Sequence, residues 1–198
     1  MPSPKMWLAA FSLAGILLWV TDRCLLESIE VISSSMEPTF LPDERVYLQR
    51  VGCGKIQRFD VVVLDRQVVG GRIVKRVIGL PGDRVKLEDS WRVTVNGKTL
   101  DYQVVSGTTN RLVEAGVHQI QLQRNPKINI KTRYGTNDFQ LGEDEYYVLG
   151  DNRLASGDSR LFGVIKRGEI MGKLRLIWYS YDLSSGYIRW HRPGTIVR

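Results

Sequence analysis

The chain predicts a mostly β protein: an antiparallel β core, a smaller inserted β region and one N-terminal transmembrane helix. Three observations predict it. Short runs rich in β-branched and aromatic residues recur after residue 26, with no long helical periodicity between them. Asn96-Gly97 stands between two such runs, the sequence signal of a two-residue hairpin turn. Met6 to Val20 carries no charge and is mostly apolar. The 19 glycines add to the count of turns that such a fold needs.

The N-terminal segment comes first. Met6 to Val20 is shorter than the ~20 residues of a comfortable membrane-spanning helix. Adding Thr21, with Lys5 and Arg23 extending toward the interfaces, makes a span feasible. Trp7 and Trp19 fall near its two ends, where indole rings favour the interface. The competing reading is a cleavable signal peptide. No small-x-small site follows the apolar run, which continues Trp19-Val20-Thr21-Asp22-Arg23. A retained anchor is therefore expected. Lys5 and the terminal amine argue for a cytoplasmic N-terminus, with the remaining chain outside.

The strand-like runs follow. They are Arg45 to Leu48, Asp60 to Leu64, Arg72 to Ile78, Gln119 to Gln123 and Tyr146 to Leu149. The Asn96-Gly97 hairpin joins Arg92 to Val95 with Thr99 to Tyr102. Residues 106–110 and 131–138 read as loops. The expected organisation is an N-terminal segment with the anchor at 1–25, a β core from 26–85 and 143–198, and an inserted β-rich region at 86–142.

Bulk properties narrow the function. A length of 198 residues suffices for one core, or one core and a small appended domain. Hydrophobic content of 43% with 25% charged residues argues against disorder. The net charge of +7 is compatible with nucleic acid or an anionic membrane surface. The basic residues are scattered among strands without interleaved stacking aromatics, so no nucleic acid partner is expected and a lipid bilayer is. Cys24 and Cys53 are too few for a disulfide scaffold and lack metal-ligand spacing, so two unpaired thiols are expected; the chemistry read below implies neither a metal nor a cofactor. Neither His118 nor His191 has a catalytic context.

Three blocks carry chemistry. The first is Ser33-Ser34-Ser35-Met36-Glu37-Pro38-Thr39. Alone, it is compatible with a plain turn after a strand, stiffened by Pro38. If Ile29 to Ser35 is extended, Ile29, Val31 and Ser33 share one face with Ser35. That apolar lining suits an extended peptide with small apolar residues at alternate positions, added as a strand. The second block is Ile73-Val74-Lys75-Arg76-Val77-Ile78-Gly79-Leu80-Pro81-Gly82-Asp83. A serine hydroxyl needs a base, and no histidine is placed to serve. A lysine can act as one if burial lowers its pKa from about 10.4. On a strand, Lys75 shares a face with Ile73 and Val77 while Arg76 points to solvent. Alone, this is also an ordinary strand lysine with its tip in water. The third block is Gly150-Asp151-Asn152-Arg153-Leu154-Ala155-Ser156-Gly157-Asp158-Ser159-Arg160, a polar turn after a strand.

In this order the blocks resemble type I signal peptidases, membrane-bound Ser–Lys proteases that cut signal peptides from exported proteins. The resemblance runs from the anchor to about Trp178, where Gly172-Lys173 and Ile177-Trp178 resemble the last core strand. The region 86–142 matches no family motif. The resemblance implies that Ser35 is the nucleophile and Lys75 its base. It implies that Ser33 and the Ser35 N–H form the oxyanion site, and that Ser156 orients Lys75 by a hydrogen bond. Asp158 and Arg160 are expected as a salt-bridged pair supporting the loop, and Arg58-Phe59-Asp60 as a structural block. Ile29, Val31 and Met36 are expected to contact substrate. The implied partners are preprotein signal peptides, cut after small residues at −1 and −3. The implied location is the inner membrane, single-pass, with the catalytic domain on the extracytoplasmic side.

Rival readings differ in signature. A self-cleaving Ser–Lys repressor would carry a helix-turn-helix domain in place of the anchor. A non-catalytic membrane-tethered β-domain would have lost Ser35, Lys75 or Ser156, and all three are present. A peptidase dedicated to one substrate, such as a pilin or conjugation factor, shares every motif.

Overall fold

The computed structural model describes residues 5–7, 10–15, 26–50, 54–66, 71–88, 92–100, 137–153 and 155–197. The run Gln119 to Gln123, the loop at 106–110, both cysteines and His118 lie outside these residues.

Every strand pairing among the described residues is antiparallel. The larger sheet contains β1 (Leu26–Glu30), β2 (Glu44–Arg50), β3 (Val61–Arg66) and β4 (Gly71–Gly79). A second sheet contains β5 (Arg84–Leu87), β6 (Val93–Val95), β7 (Lys98–Leu100) and β8 (Asp138–Gln140). The chain then returns to the first sheet with β9 (Glu145–Leu149), β10 (Ile165–Lys166), β11 (Ile170–Asp182) and β12 (Tyr187–Ile188). The first sheet runs β1-β2-β11-β3-β4-β9-β10 with β12 on β11, and the second runs β7-β6-β5-β8.

Local sequence explains the elements. β3 reads Val61-Val62-Val63-Leu64 and is buried on both faces, as expected of a central strand. In β2, Glu44, Val46 and Leu48 are buried while Arg45 is exposed, the period-two pattern of a strand with one covered face. Asn96 and Gly97 both take positive φ, 51° and 77°, which fits the tight hairpin turn joining β6 to β7. Asp138, expected at the end of a loop, instead begins β8 and pairs with Lys86. The loop expectation missed this strand because its three residues Asp138-Phe139-Gln140 contain no β-branched side chain.

The first sheet curls so that distant strands meet. β1 and β4 have β2, β11 and β3 between them, yet Arg72 Nη1 on β4 donates to Glu27 Oε1 on β1 at 2.8 Å. This brings the segment following β1 against β4, the relationship on which the site depends. One core cluster contains Val31, Met36, Phe40, Val46, Leu48 and Leu174. Another contains Val62, Leu64, Val77, Val148 and Ile165. A third, with Val85, Val95 and Tyr147, joins the two sheets.

Residues 5–7 and 10–15 are helical. Among the described residues no helix is long and apolar enough to cross a membrane. Residues 16–20 of the expected anchor lie outside them.

Candidate active site

Ser35 sits in the 3₁₀ turn Ser34–Met36, five residues past Glu30, the end of β1. Ser33 caps the turn, its Oγ accepting from Ser35 N–H at 3.2 Å. Met36 and Phe40 anchor the turn in the core, and Phe40 N–H donates to Met36 O at 3.0 Å. The third block closes over it from the other side. Asn152 N–H donates to Ser35 O at 3.1 Å, and its side-chain amide donates to Ser34 O at 3.3 Å. The backbone of Ser34 and Ser35 is thus held by Ser33 and Asn152.

Lys75 lies on β4 opposite Val62 and is 3% exposed. Its Nζ donates to Ser35 Oγ at 2.8 Å and to Val74 O at 2.7 Å. Val77 on the same face belongs to the second core cluster, and Ile73 packs against it. Loss of hydration on burial pushes the Lys75 ammonium down to about 8, while the Asp158 and Asp151 carboxylates hold it up and Arg160 opposes them. At that value a substantial fraction of the amine is neutral just above pH 7, so the group can accept a proton.

Arg76 corrects an expectation. It does not point to solvent but is 1% exposed. Its Nε donates to Asp151 Oδ1 at 2.9 Å and its Nη2 to Asp151 Oδ2 at 2.7 Å, a two-pronged pair. Nη1 donates to Phe59 O at 2.8 Å. Alternation on a strand correctly places Arg76 on the face opposite Lys75, but that face is covered. Its cover is Thr39 and Asp151, the latter 75 residues along the chain. Arg76, Asp151, Asn152 and Thr39 therefore belong to the site, although none was expected there. The signal available was the acid in Gly150-Asp151-Asn152, which reads as turn chemistry until its partner is known.

Ser156 Oγ is buried and makes no hydrogen bond among the described residues. The bond expected from Lys75 is not formed here. Both bonds from Nζ go instead to Ser35 and to the carbonyl beside Lys75 itself. Ser156 nevertheless lies close to the Ser35 backbone. A Cβ on Gly150 would meet both Ser156 Oγ and the Ser35 carbonyl oxygen far inside contact distance, so only glycine lets the three segments converge. Asp158 and Arg160 form a buried ion pair, Nη2 to Oδ2 at 2.8 Å. Asp158 also accepts from Gly150 N–H at 2.9 Å, and Arg160 donates to Arg153 O at 2.7 Å. The pair ties both ends of the third block together.

Residues 5–179 match the model of the signal peptidase family, peptidase S26. The chain belongs to this family. The S26 peptidase is 30% identical over 183 residues to signal peptidase IB of Staphylococcus aureus strain COL, covering 89% of this chain and 90% of the relative. It is 30% identical over 179 residues to signal peptidase I P of Bacillus subtilis subsp. natto, covering 89% of each. A solved signal peptidase I from Enterococcus faecalis V583 shares 32% identity, covering 61% of this chain and 97% of that one, with a TM-score of 0.38. The protein is accordingly a hydrolase of the signal peptidase I type.

In this peptidase the residues expected to contact substrate lie at different depths. Ile29 on β1 is half-buried against the first core cluster. Val31 and Met36 are 3% and 1% exposed and belong to that cluster. Both present almost no free surface. Asp60, from the Arg58-Phe59-Asp60 block, accepts from Gln57 N–H at 2.8 Å and from Lys173 Nζ at 3.1 Å, tying β11 to the turn before β3.

Proposed function

We propose that this peptidase removes signal peptides from exported preproteins by acyl transfer through Ser35 and Lys75. The observation that carries the proposal is the 2.8 Å contact between Lys75 Nζ and Ser35 Oγ, made by a lysine whose burial lowers its pKa to about 8. Neutral Lys75 takes the hydroxyl proton as Ser35 Oγ attacks the scissile carbonyl. The new C–O bond forms as the carbonyl π electrons move onto oxygen. Lys75 then returns the proton to the leaving amine as the C–N bond breaks. Water, deprotonated by the same amine, hydrolyses the ester and restores Ser35.

The oxyanion needs fixed donors. The Ser35 N–H and the Ser33 hydroxyl lie together, and without substrate the N–H is satisfied by Ser33 Oγ. An incoming carbonyl oxygen takes that N–H, and the Ser33 hydroxyl turns to donate to the same oxygen. Ser156 holds the third proton of the Lys75 ammonium once Ser35 has lost its own, which gives its unpartnered buried hydroxyl a use. It does so without a negative charge that would raise the lysine pKa.

The substrate is an extended segment with small residues at −1 and −3, laid along β1 with Ile29 beside it and Val31 and Met36 beneath. Met6 to Val20 anchors the enzyme in the inner membrane, with the catalytic domain on the extracytoplasmic side. The exposed apolar side chains Met6, Trp7, Phe11 and Leu13 on its helical part support an anchor. Protease treatment of intact spheroplasts tests the topology: the chain beyond Arg23 should be digested from outside, and full protection would overturn it.

Incubation of the detergent-solubilised enzyme with a preprotein tests the activity. Wild type should release the signal peptide, and Ser35→Ala and Lys75→Arg should not, because a guanidinium does not deprotonate in this range. Cleavage retained by Lys75→Arg at more than a few per cent would remove lysine from the role of base.

A further inference from the structure

Beyond the matched region, which ends at residue 179, the chain turns back along β11. Ile177 N–H donates to Thr195 O at 3.0 Å and Val197 N–H to Arg175 O at 2.8 Å, which lays the last residues against that strand. This segment delivers Arg192, a guanidinium only 8% exposed, to the inside of the molecule. Its Nε donates to Glu44 Oε1 at 2.7 Å and its Nη2 to Glu44 Oε2 at 2.9 Å. Nη2 also donates to the carbonyl of Thr39 at 2.8 Å. Glu44 is fully buried, and its carboxylate further accepts from Ser180 Oγ at 2.8 Å and from Leu41 N–H at 3.0 Å.

Thr39 ends the nucleophile block, and its own hydroxyl faces the site. Thr39 Oγ1 donates to Asp151 Oδ2 at 2.6 Å and accepts from Arg76 Nη2 at 3.2 Å. Arg76 adjoins Lys75 on β4, and Asp151 adjoins Asn152, whose N–H donates to Ser35 O. Hydrogen bonds through Thr39 therefore connect Arg192 to Arg76 and Asp151, the chain neighbours of Lys75 and of the Asn152 that holds Ser35.

We propose that Arg192 is a positioning residue for cleavage: it fixes Thr39, and Thr39 sets Arg76 and Asp151, which align Lys75 and Asn152 on Ser35. The inference rests on the Ser35–Lys75 reading above. A surface arginine would add little, but a buried guanidinium with three charge-assisted or carbonyl bonds defines one geometry. Lysine cannot replace it, because one ammonium does not present the planar fork that meets Glu44 and the Thr39 carbonyl together. Arg192 lies behind the site and forms no part of the expected substrate path, so its loss falls on the chemical step and not on substrate binding.

The test is steady-state cleavage of a peptide substrate by full-length wild type, Arg192→Lys, Arg192→Ala and Ser35→Ala, each measured below its thermal midpoint and normalised to folded enzyme. The expected result is a kcat lower by about 10- to 100-fold in both Arg192 variants, the size of effect that small misplacement produces, with KM changed less than about twofold. Arg192→Lys should fold, since it keeps a cation opposite Glu44. If it fails to fold, the residue is structural only and the assignment is overturned. A wild-type kcat in either folded variant, or a loss taken wholly in KM, overturns it equally. If wild type and Ser35→Ala are alike, the proposed activity itself fails. If wild type cleaves and the Arg192 variants match it, only the Arg192 assignment fails.

Discussion

Lys75 Nζ stands 2.8 Å from Ser35 Oγ across forty residues of sequence, and among the described residues no carboxylate hydrogen-bonds to that nitrogen. The second bond of the amine goes to a neutral carbonyl. Asp158 and Asp151 act on it only through space, and Arg160 partly offsets them. The arrangement withholds the counter-ion that would normally keep a buried lysine protonated. Their cations lie elsewhere, Arg160 on Asp158 and Arg76 on Asp151.

Such a lysine should make the fold less stable below pH 8. The folded pKa of about 8 lies under the ordinary value of 10.5, so the unfolded chain binds more protons between these limits. Stability from this group therefore rises with pH through that window, and the full cost is present below it. Lys75→Met should raise the unfolding free energy at pH 6 by at most about 3 kcal/mol, less whatever its two hydrogen bonds contribute. Urea unfolding at pH 6 and pH 10 checks this. The variant's advantage should shrink at the higher pH, and an advantage that grows would contradict the burial argument.

Asp151→Asn should be costly for a different reason. It leaves Arg76 buried with its bidentate partner gone, a loss of roughly 3–5 kcal/mol for a broken buried pair. Arg76→Met together with Asp151→Asn should recover part of that stability while activity stays low, because the tie to Thr39 is still missing. Thermal midpoints and peptide cleavage of the single and double variants separate the two effects.

Much of this site was legible in the sequence, and what was missed has one cause. The Ser35 and Lys75 blocks, the alternation that buries Lys75 beside Val77, and the Asn96-Gly97 turn are local patterns, and local patterns survive in one dimension. The Asp158–Arg160 pair spans two residues and was equally readable. Arg76 was misjudged because strand parity gives a face and says nothing of what covers it. Its cover comes from Thr39 and Asp151, contributed by two distant turns. Arg192 was invisible for the same reason: its partners Glu44 and Thr39 lie about 150 residues away. Ser156 shows the opposite limit, since its block was recognised but the Lys75 amine bonds Ser35 and the Val74 carbonyl instead.

Ser156 should separate stability from rate. A buried hydroxyl with no partner contributes little to the fold, so Ser156→Ala should change the unfolding free energy by no more than about 1 kcal/mol in either direction. The cleavage rate should nevertheless fall tenfold or more, as expected for loss of a positioned hydrogen bond. Equal and small effects on both would remove Ser156 from the reaction.

The packed side chains next to Ser35 in the chain should set specificity. Val31 and Met36 are packed into the core and have no space to recede into without overpacking it. A substrate with Phe at −1 should therefore lose at least about a hundredfold in kcat/KM against Ala, through misalignment of the scissile carbonyl. Comparable turnover of the two peptides would show that the pocket lies elsewhere.

The most direct test of the account is kcat/KM against pH for the wild-type enzyme in detergent, with a peptide substrate that has no titrating group in the range. A base must be neutral to act, so the ascending limb should follow Lys75 and bend near pH 8. A folded Ser156→Asp variant should move that bend to higher pH, since a nearby carboxylate favours the ammonium. An ascending limb at the ordinary lysine value near 10.5, or one that does not move in a folded and active Ser156→Asp, would contradict a buried Lys75 acting as the base for Ser35.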